Sequence, residues 1–217
     1  MSRLLISLAF AGFAMASAAP SMAQAPAAAP TLAAPAEVVA DLSNRLNIQL
    51  SNGKTVVIQL RPDVAPQNVY RIKQLASSGF YNGLSFHRVI PGFMAQGGDP
   101  LGTGAGGSKL PDVPAEFNAL PHMRGVMAMA RSEDPNSANS QFYIMLSADL
   151  SLDRRYTVIG RVIAGMDAVD GIAVGEPPAD PTRIVRAWID GPLPAPIAAA
   201  PAAAPAEPAK AEAAPAQ

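Results

Sequence analysis

Residues 85–99 read Ser85-Phe-His-Arg-Val-Ile-Pro-Gly-Phe-Met-Ala-Gln-Gly-Gly-Asp99. The stretch predicts two short strands joined by a Pro-Gly turn, because both turn residues favour such conformations. It also places a permanent cation, Arg88, among apolar side chains. An unpaired buried charge is very costly, so Arg88 either reaches solvent or serves a site. The turn folds Arg88, Phe93, Met94 and Gln96 toward one another, which predicts an apolar patch with two directed donors. The plain alternative is a hairpin that carries a solvated arginine.

A second pair of strands is predicted further along the chain. Residues 125–131 alternate as a strand, residues 132–139 are rich in turn formers, and residues 140–146 read Ser140-Gln-Phe-Tyr-Ile-Met-Leu146. Together with the run Phe-His-Arg-Val-Ile-Pro-Gly-Phe-Met-Ala-Gln-Gly-Gly-Asp, the run Asn-Ser-Gln-Phe-Tyr-Ile resembles the cyclophilin family of peptidyl-prolyl cis/trans isomerases. The resemblance extends from about Leu46 to Asp190, which is nearly all of the chain that has the composition of a folded domain.

Short strands recur through the whole middle of the chain. We predict strands near residues 46–50, 54–60, 85–90, 93–97, 126–130, 140–146, 156–163 and 182–189, and helices at residues 66–78 and 166–174. Many short strands with few crossover helices predict a mainly β fold, a closed eight-stranded antiparallel β-barrel, since closure removes exposed sheet edges. The family that the chain resembles has such a barrel, capped by two helices.

The two ends of the chain differ in composition from the middle. Residues 1–23 have the charged, apolar, small-residue order of a secretory signal peptide, which predicts export to the periplasm. An uncleaved membrane anchor is the alternative. We interpret residues 24–45 as an Ala/Pro-rich linker, residues 46–190 as the isomerase-like domain, and residues 191–217 as a disordered Ala/Pro-rich tail. Tethering and partner binding remain open as roles for these flanking segments.

Charge and composition argue against several other classes of protein. The net charge is −1 and Lys and Arg are not clustered, which argues against nucleic acid as a partner. The two histidines, His87 and His122, have no ligand-like neighbours in sequence, so no metal site is predicted. Neither histidine is assigned to the predicted site. The resemblance likewise implies no cofactor and no metal, and we expect a monomer.

The resemblance implies a role for particular residues. Arg88 is implied as the key catalytic residue, with Gln96 positioning either Arg88 or the substrate carbonyl. The implied substrate-binding residues are Phe93, Met94, Ala130, Arg131, Gln141, Tyr143, Leu152 and Tyr156. The implied partners are proline-containing segments of unfolded or partly folded polypeptides. Without the resemblance, Phe93, Met94 and Leu152 would be read as ordinary core residues.

Two positions depart from the pattern of many family members. Ser151 stands where many members carry Trp, and Tyr156 stands where many carry His. Tyr156 keeps an aromatic wall, so we expect isomerase activity to survive. Ser151 removes a large wall and an indole donor, so weak cyclosporin binding is expected. The rival functions are a non-catalytic module that holds proline-containing segments and a scaffold that uses its Ala/Pro-rich ends. Arg88 and Gln96 favour the enzyme.

Overall fold

The computed structural model describes residues 32–193 of the chain. Its helices are α1 (Ala36–Ala40), α2 (Pro66–Ser77) and α3 (Met166–Asp170). Its strands are β1 (Arg45–Leu50), β2 (Thr55–Leu60), β3 (Phe86–Ile90), β4 (Met94–Gly97), β5 (Val126–Met129), β6 (Phe142–Met145), β7 (Val158–Ala164) and β8 (Ile184–Ile189). Short 3-10 turns cover Leu42–Asn44 and Leu150–Leu152. The eight predicted strands and two predicted helices are therefore present, and the mainly β class is confirmed.

The strands form one antiparallel sheet in the order β3-β4-β6-β5-β7-β2-β1-β8. The prediction of a closed barrel is wrong, because the terminal strands β3 and β8 are not hydrogen-bonded along their length and the curled sheet stays open. The two strands meet near their first residues, where Ser85 forms a bridge with Arg183. There the Phe86 N–H donates to the Thr182 carbonyl at 3.0 Å and the Ile184 N–H donates to the Leu84 carbonyl at 2.8 Å. The outer edge of β3 is instead occupied by a loop, where the Val89 N–H donates to the Gly175 carbonyl at 2.8 Å and the Gly175 N–H donates back at 3.1 Å.

The two faces of the sheet bury two different apolar clusters. Alternation along β6 places Phe142 and Ile144 in the main core and Tyr143 and Met145 in a second, smaller cluster on the opposite face. Helix α2 adds Val69, Ile72 and Leu75 to the main core, and helix α3 adds Ala168 and Val169. The helix pattern at residues 66–78 is thus confirmed by burial. The smaller cluster is the one that supports the candidate site.

The boundary of the folded domain lies further toward the N-terminus than the sequence suggests. Within the expected linker 24–45, residues 36–44 form α1 and the first 3-10 turn, and Val38 and Asn44 are buried. The Lys73 ammonium donates to the Asn44 side-chain oxygen at 2.5 Å, and the Asn44 amide donates to the Val38 carbonyl at 3.0 Å. The expected signal peptide (1–23), the first part of the expected linker and the expected tail beyond residue 193 lie outside the described residues.

Candidate active site

A cavity of about 160 Å³ opens on the face of the sheet that carries the smaller cluster. Nine of the ten residues implied by the resemblance line it: Arg88, Phe93, Met94, Gln96, Ala130, Arg131, Tyr143, Leu152 and Tyr156. The tenth, Gln141, does not line the cavity but is hydrogen-bonded to Gln96, which does. Residues that are up to 68 positions apart (from 88 to 156) in sequence are therefore brought to a single pocket.

Strand register explains how the polar wall of the cavity is built. Arg88 of β3 lies opposite Gln96 of β4, and Gln96 lies opposite Tyr143 of β6. Directly opposed residues in antiparallel strands share one face of the sheet, so these three side chains form a row across three strands. Gly92, at φ +69°, closes the β3–β4 turn in a conformation that L side chains rarely adopt. The hairpin predicted around this turn is confirmed.

Gln96 is held by a chain of amide hydrogen bonds. Its Nε2 donates to Gln141 Oε1 at 2.8 Å, and Gln141 Nε2 donates to the carbonyls of Gly104 and Gly106, both at 2.8 Å. Two carbonyl acceptors fix which way the Gln141 amide points, and this in turn fixes the Gln96 amide. In the free protein Gln141 thus holds the Gln96 amide, and its implied role in substrate binding stays a prediction.

The glycine-rich loop that follows β4 is organised by the carboxylate of Asp99. Asp99 accepts hydrogen bonds from the N–H groups of Leu101, Thr103 and Gly104 at 2.8, 2.9 and 2.6 Å. Burial opposes the charge on Asp99, but these backbone donors stabilise it and hold the pKa of the carboxyl below its usual value. Because these N–H groups already donate to the Asp99 carboxylate, they are not available to bind a phosphate group.

The Arg88 side chain lies at the opening of the cavity, where its charge reaches solvent although its neighbours in sequence are apolar. Its side chain is 42% exposed, and its Nε lies 3.6 Å from Oε1 of Glu176, whose side chain is 49% exposed. At that length the pair is an ionic contact without a good hydrogen bond, and half-exposed pairs contribute little to stability. Glu176 lies in the loop that covers the edge of β3 and was not predicted from the sequence. The arginine is thus hydrated, yet oriented toward an apolar pocket.

The remaining walls of the cavity are apolar or aromatic, except for Arg131. Met94 and Tyr143 are buried, and the rings of Tyr143 and Tyr156 meet edge to face with centroids 5.9 Å apart. Burial raises the pKa of Tyr143, so its hydroxyl stays protonated. The Arg131 guanidinium lies 4.7 Å from the centre of the Tyr156 ring and donates to the carbonyls of Ser132 and Arg155 at 2.7 and 3.0 Å. Arg131 therefore braces the pocket wall.

The turn of residues 149–153 adds the last wall. Asp149 accepts hydrogen bonds from the Ser151 N–H at 3.0 Å and the Ser151 hydroxyl at 2.6 Å, so it caps the Leu150–Leu152 turn. Leu152 lines the cavity, whereas Ser151 is exposed beside it. Asp153 is partly exposed and contacts the buried His122 with its carboxylate at 2.9 Å. His122 and Asp153 were missed by sequence reasoning, although the Tyr143 hydroxyl, once buried, requires a partner of this kind.

His87 is buried beside Arg88, and within residues 32–193 neither of its ring nitrogens has a hydrogen-bond partner. Burial lowers the pKa of His87, and Asp99 opposes this shift. Below about pH 6.5 the unfolded chain therefore binds a proton that the folded chain does not, so the free energy of unfolding falls as the pH decreases. We expect the melting temperature to drop between about pH 7.5 and 5 less steeply for His87→Gln than for the unmodified protein. Equal slopes would contradict the assignment.

Within residues 32–193, no group of three or more His, Cys, Asp or Glu side chains is placed to hold a metal ion. No helix of the described residues is both long and apolar enough to cross a bilayer.

Comparisons with known proteins agree with the geometry. Residues 45–188 match the family described as cyclophilin type peptidyl-prolyl cis-trans isomerase/CLD. A probable peptidyl-prolyl cis-trans isomerase from Brucella suis biovar 1 (strain 1330) is 47% identical over 167 residues, covering 70% of this chain and 85% of the relative. The crystal structure of cyclophilin AquaCyp293 from Hirschia baltica has a TM-score of 0.63 at 31% identity, covering 69% of this chain and 74% of the other.

A further similar structure is a cyclophilin type peptidyl-prolyl cis-trans isomerase from Cryptosporidium parvum, crystallised in the presence of the dipeptide Ala-Pro. Its TM-score is 0.63 at 29% identity, and the match covers 68% of this chain and 99% of that one. The family resemblance drawn from two sequence motifs is confirmed. The chain belongs to the cyclophilin-type peptidyl-prolyl cis-trans isomerases, which are enzymes.

Proposed function

We propose that this protein accelerates rotation about X–Pro peptide bonds in unfolded or partly folded exported polypeptides, with Arg88 donating a hydrogen bond to the prolyl nitrogen. The observation that carries the proposal is the position of the Arg88 guanidinium at the mouth of a small apolar cavity. The relative from Cryptosporidium parvum, crystallised with an Ala-Pro dipeptide, supports a proline-containing ligand.

The chemistry requires no bond breaking and no proton transfer. Amide resonance imposes a rotation barrier of about 18–20 kcal/mol, and twisting the peptide removes that resonance. The prolyl nitrogen of the twisted form gains a lone pair that can accept a hydrogen bond. A donor at that position binds the twisted form better than either planar form, which is preferential binding of the transition state. An acceleration of about 10⁵-fold corresponds to about 7 kcal/mol of such preference.

The residues around Arg88 have complementary parts in this mechanism. The apolar walls Phe93, Met94 and Leu152 hold the proline ring, which leaves the X–Pro bond at the mouth of the cavity. Gln96, fixed by Gln141, orients the substrate carbonyl or the guanidinium. Arginine suits the donor role because it stays protonated at physiological pH and offers donors in a fixed plane. Ala130 lies on the adjoining edge of the cavity, where the substrate backbone passes.

An assay of a short peptide with a cis X–Pro bond tests the activity. The first-order rate of cis-to-trans conversion, read by a protease that cleaves only the trans form, should rise in proportion to protein concentration. A non-catalytic holding module would bind the same peptide and leave the rate at its uncatalysed value. Measuring peptide binding by calorimetry alongside the rate therefore separates the two functions.

The charged, apolar and small-residue segments of residues 1–23 resemble a secretory signal peptide and support export. Export in turn implies that the substrates are exported polypeptides. We place the mature protein in the periplasm as a monomer that acts on exported chains. Cleavage after Ala23 would make Gln24 the first residue, which N-terminal sequencing of the periplasmic fraction can establish. Retention of Met1 on a membrane-bound form would favour the anchor.

A further inference from the structure

A hydrogen-bonded chain of three side chains, the buried Tyr143 and His122 and the partly exposed Asp153, adjoins the cavity. The Asp153 carboxylate lies 2.9 Å from His122 Nδ1, and the Tyr143 hydroxyl lies 3.1 Å from His122 Nε2. His122 has no exposed surface and Tyr143 is 5% exposed. Tyr143 and Asp153 lie 21 and 31 positions after His122 in the sequence, and the fold brings the three residues together. The chain ends at Tyr143, one of the walls of the proposed proline pocket.

The partners of His122 determine where its proton lies. An ionised carboxylate only accepts hydrogen bonds, so Nδ1 must carry the proton and donate it to Asp153. In the neutral ring Nε2 then has a lone pair, and the Tyr143 hydroxyl must donate to it. The Tyr143 proton is consequently directed at His122 and away from the pocket. A single rotamer of the hydroxyl is selected by a residue that does not itself line the cavity.

His122 also fixes the other walls on this side. The Asp149 N–H donates to the His122 carbonyl at 2.9 Å, and the His122 N–H donates to Asp153 Oδ1 at 2.8 Å, so the turn that carries Leu152 is tied to His122 at both ends. The imidazole stacks on the Tyr143 ring with centroids 6.2 Å apart and meets the Tyr156 ring edge to face at 6.5 Å.

We propose that His122 and Asp153 are positioning residues of the proline pocket, which act through Tyr143 and through the turn that carries Leu152. The proposal rests on the proposed function, since it assumes that this cavity receives the proline ring. A pocket wall contacts the proline in the planar and the twisted forms alike. Disturbing it should therefore weaken substrate binding and raise KM more than it lowers kcat.

The first test is the protonation state of the ring, which does not depend on activity. The chain contains two histidines, so protein labelled with ¹⁵N-histidine gives two imidazole rings, and the variant His87→Gln leaves the ring of His122 alone. At a pH where the ring is neutral, we expect its proton to lie on Nδ1. A neutral ring with its proton on Nε2 would overturn the proposal.

The second test is a kinetic cycle at the Tyr143 end of the chain. His122→Asn retains a donor near the position of Nδ1 but loses the contact to Tyr143, whereas His122→Gln retains a polar group near the position of Nε2. We expect His122→Asn and Tyr143→Phe each to raise KM about three- to tenfold, the effect of one lost buried hydrogen bond. His122→Gln should recover part of the loss. The double variant His122→Asn/Tyr143→Phe should be no worse than the more impaired single variant.

A matched control comes from a second buried tyrosine. Tyr81 donates its hydroxyl to the Ser140 carbonyl at 3.0 Å, is 1% exposed and does not line the cavity. Tyr81→Phe should lower the melting temperature without raising KM. Equal KM effects from the two tyrosine substitutions, or additive effects in the double variant, would refute positioning. If the unmodified protein neither turns over nor binds a proline peptide, the proposed function fails, and the ring tautomer still reports on the hydrogen-bonded chain.

Discussion

Replacing Arg88 with alanine is expected to lower kcat/KM for X–Pro isomerisation by about 10²- to 10³-fold, the usual loss when one transition-state donor is removed. The fold should be unaffected, because the Arg88 side chain is 42% exposed and its partner Glu176 is half-exposed as well. Truncation therefore opens no buried cavity and leaves no buried unpaired charge. Steady-state rates together with thermal melting measure both parts of this expectation.

Two further variants show whether the shape of the donor matters. Arg88→Lys keeps the charge but replaces a planar set of donors with one mobile ammonium, so most of the activity should still be lost. Arg161→Ala removes an exposed arginine of strand β7 that does not line the cavity, and it should leave the rate unchanged. Near wild-type turnover by Arg88→Ala, with an unchanged melting curve, would show that the donor mechanism is wrong.

Local pattern was sufficient to predict most of the fold. Phe142 and Tyr143 alternate in the sequence and lie on opposite faces of β6, and Val69, Ile72 and Leu75 recur at helical spacing and are buried on α2. Closure of the sheet is a different kind of property, because it depends on how far the first and last strands are staggered. Here the contact between Val89 and Gly175 occupies the edge that β8 would need. No residue pattern within a single strand carries that information.

The site residues that lie together in one sequence motif could be predicted. Those that reach the site from distant parts of the chain could not. Arg88, Phe93 and Gln96 lie within nine residues (88 to 96) and converge through one hairpin. His122 and Glu176 reach the site from separate loops, and each looks like an isolated polar residue in the sequence. One signal was available, since a buried tyrosine hydroxyl needs a partner and the chain has only two histidines.

Amino-acid composition alone does not locate the N-terminal boundary of the folded domain. Composition predicts a linker over residues 24–45, because alanine and proline dominate the segment. The structure nevertheless folds residues 36–44, because Val38 is buried and Asn44 is bonded to Lys73 of helix α2. One valine and one buried polar contact thus extend the domain beyond the limit that average composition suggests.

Cyclosporin binding should be weak, about 30- to 1,000-fold below that of cyclophilins with Trp at this position, because a buried aromatic contact and a hydrogen bond together contribute about 2–4 kcal/mol. Ser151 stands at this position by resemblance, and its side chain is short, exposed and bonded to the Asp149 carboxylate at 2.6 Å. It follows Leu150 and precedes Leu152, which lines the cavity. An indole at residue 151 would extend the apolar surface beside Leu152 and add an N–H donor at the rim.

Ser151→Trp should recover part of the missing cyclosporin affinity and change peptide isomerisation little, since Ser151 itself does not line the cavity. Leu150→Trp is the matched control: Leu150 is 61% exposed in the same turn and also does not line the cavity, so an indole there should bring no gain. Titration calorimetry on the three proteins measures the difference directly. Nanomolar binding by the unmodified protein, or equal gains from both tryptophan variants, would mean that residue 151 does not occupy the tryptophan position of the family. Discrimination between neighbouring residues of one turn is what makes this test specific.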